Sequence, residues 1–534
     1  MLFESALLNL KNAQKEGGGN LNGTRGYLEI IKIFAESMRF KRFATNDDSD
    51  AIRERSSIPE CGGTMLIVAA LMLFLYRKNL QSVNLLFIVL AVLWLSVRLL
   101  SKTSLFTKSE IDLRVPSRKR YAKLLSLLIL GFVISILVSA TLFVNFSQQV
   151  GGEAGTYDSP NYGGEAFQNL IPTSISSENS TFFSSLGDYM VDDSQRSPNT
   201  VLPTKQFVLE PLVSDEISVT WFGHSTILIR SQNVTILTDP LFGEQNTDPL
   251  FFGPTPFSFE HRYALNNLPP IDYVLISHDH YDHLDMATIK DLKDSKFYVP
   301  LGVKSHLLRW GLAEENIQEF DWYEETEISD HLDIALTPAQ HFSGRSLFDG
   351  DATLWGSWVI NLNNQSLFFS GDSGYTEEFV EIGERYGPFD IAFLESGQYN
   401  LAWQDIHMFP AEVVQAGIDL NASTILPIHN SKYELSLHPW KEPLEKVSAE
   451  GERRNLSVAT PMIGETFLLG DSIPNDAWWA NVSDGTPSIL KENVFVGMMN
   501  PPLAIVGILW MFTGRLSHPI NKTKENASKL DCEE

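Results

Sequence analysis

The chain has 534 residues, 43% of them apolar, which is too long for one ordinary domain and ample for at least one large core. Its formal net charge of -26 argues against a surface that tracks nucleic-acid phosphates, because that binding depends on clustered lysine and arginine. Two cysteines, Cys61 and Cys532, exclude a disulfide framework and a cysteine-rich metal site, so any metal must be held by histidine and carboxylate.

In chain order, residues 1–58 read as a cytoplasmic N-terminal segment, with "KEGGGNLNG" breaking two short helical pieces. Residues 59–146 read as a transmembrane region of two to three helices. Its apolar runs at 82–100 and 124–144 are long enough to cross a bilayer, and the run at 64–76 is short for a span unless its flanks contribute. Lys102, Lys108, Arg114, Arg118, Lys119, Arg120 and Lys123 lie between the second and third runs, whereas "NFSQQVGGEAGTYD" after the third carries no lysine or arginine. The excess of basic residues places that loop in the cytoplasm and everything after about residue 147 on the periplasmic or extracellular side of an integral membrane protein.

Residues 147–215, rich in Ser, Asn, Gly, Thr and Pro, read as an extended arm or linker without an independent core. The character changes over 216–475, where β-branched runs alternate with helical stretches. Several short strands there each end on a polar residue, which is an α/β pattern with chemistry at strand C-termini. The tail, 476–534, holds an apolar stretch at 494–514 that is interrupted by Asn500, Pro501 and Pro502; we expect it to associate with the membrane.

The chemistry gathers in "VLISHDHYDHLD". His278, His280, Asp282 and His283 follow an apolar strand, and nitrogen and oxygen donors at this spacing suit zinc. Three further candidates lie just past strand-like runs: His341 in "PAQHFSG", Asp372 in "FFSGDSG" and His429 in "LPIHNS". Together they give one set of His278, His280 and His341, a second of Asp282, His283 and His429, and Asp372 as a bridge, enough for two Zn2+ or another divalent metal.

This arrangement resembles the metallo-β-lactamase superfamily, and within it the branch that contains N-acylphosphatidylethanolamine-hydrolysing phospholipase D. The likeness rests on "VTWFGHSTILI", "TDPLF", "PPIDYVLISHDHYDHLD", "PAQHFSGRSLFDGDATLWGSWVI", "FFSGDSGY" and "IHMFPAEVVQA" in that order, and it covers roughly residues 156–470. It implies an α/β fold, a four-layer αββα sandwich preceded here by transmembrane helices, with two zincs in the site. Asp282 is then expected to orient the nucleophile, and His407 to protonate the leaving group or contact phosphate. His224 and Asp239 are expected to support ligands, and Arg345 either to touch an anionic substrate or to form a surface salt bridge. Where the branch usually has Trp-Gly after its last ligand, Asn430 and Ser431 stand here, which puts the pocket wall in doubt.

The expected function is a membrane-anchored dinuclear zinc phosphodiesterase of phospholipase D type acting on a phospholipid or related amphiphile. A lactonase or other acyl hydrolase is the enzymatic alternative, and a receptor or scaffold whose sandwich domain only binds is the alternative outside enzymology. Neither a nucleic-acid partner nor an oligomeric state is indicated.

Overall fold

The structure, a computed structural model, describes residues 147–173, 194–213, 215–243, 254–346 and 349–484. They build two seven-stranded sheets. The first contains β1 (Ser218–Trp221), β2 (Ile227–Arg230), β3 (Thr235–Thr238), β4 (Tyr273–Leu275), β5 (Lys296–Pro300) and β6 (Ile317–Phe320), with β14 (Thr466–Leu468) outside β1. The second runs β7 (Glu325–Ser329), β8 (Leu332–Thr337), β9 (Ser357–Leu362), β10 (Gln365–Phe369), β11 (Ile391–Glu395), β12 (Thr424–Ile428) and β13 (Ser457–Val458).

Each sheet is antiparallel on one side and parallel on the other. Strands β14 to β3 pair antiparallel, and β3 to β6 pair parallel. In the second sheet β7 to β10 pair antiparallel, and β10 to β13 pair parallel. Parallel strands need crossovers, and these supply helices that cover the outer faces, so strands such as "IAFLE" and "TILPI" are buried along their whole length.

Alternation along the strands divides the apolar residues into three layers. Val219, Trp221, Ile229 and Leu275 of the first sheet meet Ile334, Trp358, Phe369 and Phe393 of the second in the central core. On the far side of the first sheet, Leu228, Val274 and Phe297 pack against α1 (Met286–Asp291) and α2 (Lys304–Trp310). On the far side of the second, Val359, Phe368 and Leu394 pack against α3 (Glu378–Tyr386), α4 (Pro410–Asp419) and α5 (Glu442–Arg454). The order of layers is therefore αββα.

Two boundaries differ from the sequence reading. The described part of the stretch 147–215, read as an extended arm, is docked on the domain: Phe167 and Leu202 are buried in the central core. At the other end Trp478, Trp479 and Val482 join the same core, so the packed body continues past residue 475. Tryptophan pairs of this kind bury large apolar area wherever they fall in sequence, and a loss of strand pattern does not reveal that. The expected spans at 64–76, 82–100 and 124–144, the segment 1–58 and the apolar stretch 494–514 lie outside the described residues. Among the described residues no helix is long and apolar enough to cross a membrane.

Trp358 ties the two sheets together. It is fully buried on β9, and its indole N–H donates to the Ile276 carbonyl at the end of β4, 2.9 Å away. Trp358→Ala is expected to cost about 3–5 kcal/mol through the cavity it leaves. Trp358→Phe, which keeps much of the apolar volume but deletes the bond, should cost about 1–3 kcal/mol. Urea unfolding midpoints check both, and an unchanged midpoint for Trp358→Phe would show that the indole bond contributes nothing.

Candidate metal centre

The functional side chains come from the C-terminal ends of strands or the loops just beyond them. Asp239 follows β3, His278 to His283 follow β4, His341 follows β8, Asp372 follows β10, Glu395 closes β11 and His429 follows β12. Two tight backbone approaches make this convergence possible. Gly371, at φ +56, turns Asp372 inward where a Cβ would stand 2.4 Å from Ser277 Cβ. At Gly397 a Cβ would stand 1.9 Å from the His429 carbonyl oxygen, so only glycine lets the two loops meet.

Three nitrogens converge in the first set. His280 Nδ1 is 2.9 Å from His278 Nε2 and 3.3 Å from His341 Nε2. In the second, Asp282 Oδ2 is 3.7 Å from His283 Nε2 and 3.6 Å from His429 Nε2. Asp372 Oδ2 lies between the sets, 3.2 Å from His283, 3.1 Å from His429, 3.7 Å from His341 and 3.9 Å from His278. All seven sequence-predicted ligands are thus brought together.

The rings of His278, His283, His341 and His429 are turned by partners on their other nitrogens. His283 Nδ1 donates to Asp239 Oδ2 at 2.7 Å, and the same carboxylate accepts from the Ser277 amide and hydroxyl. The Ser277 hydroxyl in turn contacts His278 Nδ1 at 2.9 Å, so Asp239 steers one ligand of each set. His341 Nδ1 faces the Ile406 carbonyl at 3.2 Å, leaving Nε2 toward the site. His224 is buried, with Nε2 3.1 Å from Asp282 Oδ2. Its backbone exchanges hydrogen bonds with the far loop, since His224 N–H donates to Asn430 O and His429 N–H to His224 O.

The sequence reading missed Glu395. Fully buried, it accepts from the Gly397 and Met408 amides, and its Oε1 lies 3.3 Å from Nδ1 of both His429 and His407. The signal was available: a carboxylate ending the otherwise apolar strand "IAFLE" cannot be buried without partners. Glu395 places the His407 ring parallel to that of His429, with centroids 5.5 Å apart, at the edge of both ligand sets.

Arg345 corrects an expectation. It is neither at the surface nor aimed at the site: only 3% exposed, its guanidinium donates to the carbonyls of Gln149, Val150, Asp279 and Leu284 and lies 3.9 Å over the Tyr281 ring. A rigid fork with five donors is suited to gathering several carbonyls, and here it holds the His278–His283 loop against the start of the arm. The Asn430–Ser431 departure also has a local explanation. Asn430 folds its amide back onto the Pro427 and Ile428 carbonyls, and Ser431 takes φ +61, a conformation that favours glycine.

Electrostatics prepare the cluster for a cation. Burial lowers the pKa of His278, His280 and His341, leaving neutral imidazoles with lone pairs to share. Burial opposes ionisation of Asp282 and Asp372, yet the surrounding imidazoles, His283 foremost, hold both well below the ordinary carboxylate range. Burial likewise opposes charge on His429, but Asp372, Asp282 and Glu395 raise it to about 9. The centre of the cluster therefore stabilises positive charge.

The donors fit divalent metal ions on two counts. His283 Nε2 and Asp372 Oδ1 are buried without a hydrogen-bond partner, although buried polar atoms are normally paired. Metal–nitrogen bonds of about 2.0–2.1 Å in a tetrahedral arrangement set neighbouring nitrogens about 3.3 Å apart, close to the spacings of the first set. His278, His280, His341 and Asp372 form one group of converging ligand atoms, and His224, Asp282, His283 and His429 another.

Residues 234–430 match the beta-lactamase superfamily domain. An uncharacterized protein of Mycobacterium tuberculosis is 37% identical over 328 residues, 60% of this chain and 87% of its own length. An N-acyl-phosphatidylethanolamine-hydrolyzing phospholipase D of Caenorhabditis elegans is 30% identical over 292 residues, 51% of this chain and 82% of its own length. Among solved structures, a metallo hydrolase of Ignicoccus hospitalis is similar at 23% identity and a TM-score of 0.37, covering 48% of this chain and 100% of that one. The chain belongs to the metallo-β-lactamase superfamily and is a metal-dependent hydrolase.

Proposed function

We propose that the protein is a membrane-anchored dinuclear zinc phosphodiesterase of phospholipase D type, cleaving a phospholipid such as N-acylphosphatidylethanolamine. The observation that carries this reading is the pair of ligand sets joined through Asp372 Oδ2, found in a chain that is 30% identical to a phospholipase D across 82% of that enzyme. His278, His280 and His341 would hold one zinc, Asp282, His283 and His429 the other, with Asp372 shared. Bound there, the metals would lower the pKa of a water molecule and stabilise charge on the phosphoryl oxygens.

The chain's own groups account for the remaining requirements. Asp282, with 18% of its side chain exposed beside buried ligands, would orient the attacking oxygen and take its hydrogen bond. Attack forms a new O–P bond and breaks the bond from phosphorus to the headgroup alcohol, releasing phosphatidic acid. The departing oxygen needs a proton. His407, held through Nδ1 by Glu395, can carry one on Nε2 to it. The apolar runs before residue 147 would anchor the site beside its lipid substrate, with the catalytic domain on the periplasmic or extracellular side.

Purified full-length protein in mixed micelles with N-acylphosphatidylethanolamine should release phosphatidic acid. Chelation should abolish this and added Zn2+ restore it, whereas turnover of lactones alone would overturn the phosphodiesterase reading. Asp282→Asn should lower kcat by about 10²–10⁴-fold; retention of wild-type kcat by the zinc-loaded variant would remove Asp282 from the chemistry. For His407→Gln the leaving group decides the outcome. We expect a loss of about 10²-fold or more on the alkyl substrate but under about 10-fold on a nitrophenyl phosphodiester, whose leaving group needs no proton. Equal losses on both substrates would argue against proton donation.

A further inference from the structure

The arm before the first sheet reaches a metal ligand directly. Beyond Thr337, where β8 ends, the chain leaves the sheet, and His341 has no strand partner for its backbone. The Asn169 carboxamide takes that place. Its Nδ2 donates to His341 O at 2.7 Å, and its Oδ1 accepts from His341 N–H at 3.2 Å and from the Trp355 indole N–H at 3.0 Å. One side chain thus pairs both polar groups of the ligand's backbone, across 172 residues of sequence.

Asn169 is itself held in place. Phe167, 2% exposed, is inserted into the central core, and its N–H donates to Asp351 O at 2.8 Å. Tyr157 and Tyr162 enclose the Phe167 ring at centroid distances of 5.4 and 4.9 Å. With the backbone fixed by Asn169 and Nδ1 facing Ile406 O, the His341 ring has one direction left for Nε2, toward His280. The ligands of the second set lie on other loops, and no hydrogen bond described here links Asn169 to them.

We infer that Asn169 is a positioning residue for the metal bound by His278, His280 and His341, and that the arm is in this way a working part of the metal site. The inference rests on the two-zinc reading. Groups that orient ligands typically contribute about 10–100-fold to metal affinity. The effect here should fall on one zinc.

The test is zinc binding by the full-length protein in detergent, measured by competition with a chromophoric chelator and by metal content after dialysis. Wild type should hold two zincs. Asn169→Ala should hold one with unchanged affinity and the other about 10–100-fold more weakly. Asn169→Asp, which keeps the acceptor for His341 N–H and loses the donor, should fall between them and serves if the alanine variant does not fold. Zinc-stripped variants should melt within about 4 °C of stripped wild type, which separates positioning from a general loss of stability. Two unchanged affinities in the variant, or two equally weakened ones, would overturn the inference and leave the two-zinc reading intact; a wild-type chain that binds no zinc would overturn both.

Discussion

One oxygen atom organises the catalytic end of this molecule. Asp372 Oδ2 lies within 4 Å of four imidazoles, two from each ligand set, and the loops that carry them leave β4, β8 and β12. Seven ionisable side chains in so small a volume are tolerable only if charge is balanced and the rings are held from behind. Asp239, Ser277, Glu395 and the Ile406 carbonyl do that holding. Most of these loops leave strands of the parallel halves, and His341 joins them from β8 of the antiparallel half.

Much of this was legible in the sequence. The ligands sit in short motifs after apolar runs, and the αββα order followed from the resemblance those motifs carry. What could not be read falls into two physical classes. Long-range partners such as Asn169 or the Gln149 carbonyl have no local signature, since a backbone carbonyl looks the same in every residue and a single asparagine is unremarkable. Arg345 shows the second difficulty. An arginine next to a ligand-bearing loop suggests an anion, and only the burial of its guanidinium among four carbonyls reveals a structural fastener. Glu395 was readable in principle, because a charged residue completing a buried strand must have partners.

The arm changes meaning as a result. Composition describes it as a spacer, and a spacer would be free to vary in length and path. Its aromatic plug at Phe167, its contact with His341 and its grip by Arg345 make its described start a fixed part of the domain's frame.

The separation of Asn169 from His341, and of His278 from His429, bears on how the protein matures. Contacts between residues so distant along the chain pay their loop-closure entropy late, after local structure has formed. No growing chain that stops short of β12 contains His429, and none that stops short of β10 contains Asp372. Metal capture by the complete centre therefore cannot template the early steps of folding. Capture by the full set would require the two sheets to have met, so that uptake of the cofactor would report a folded core.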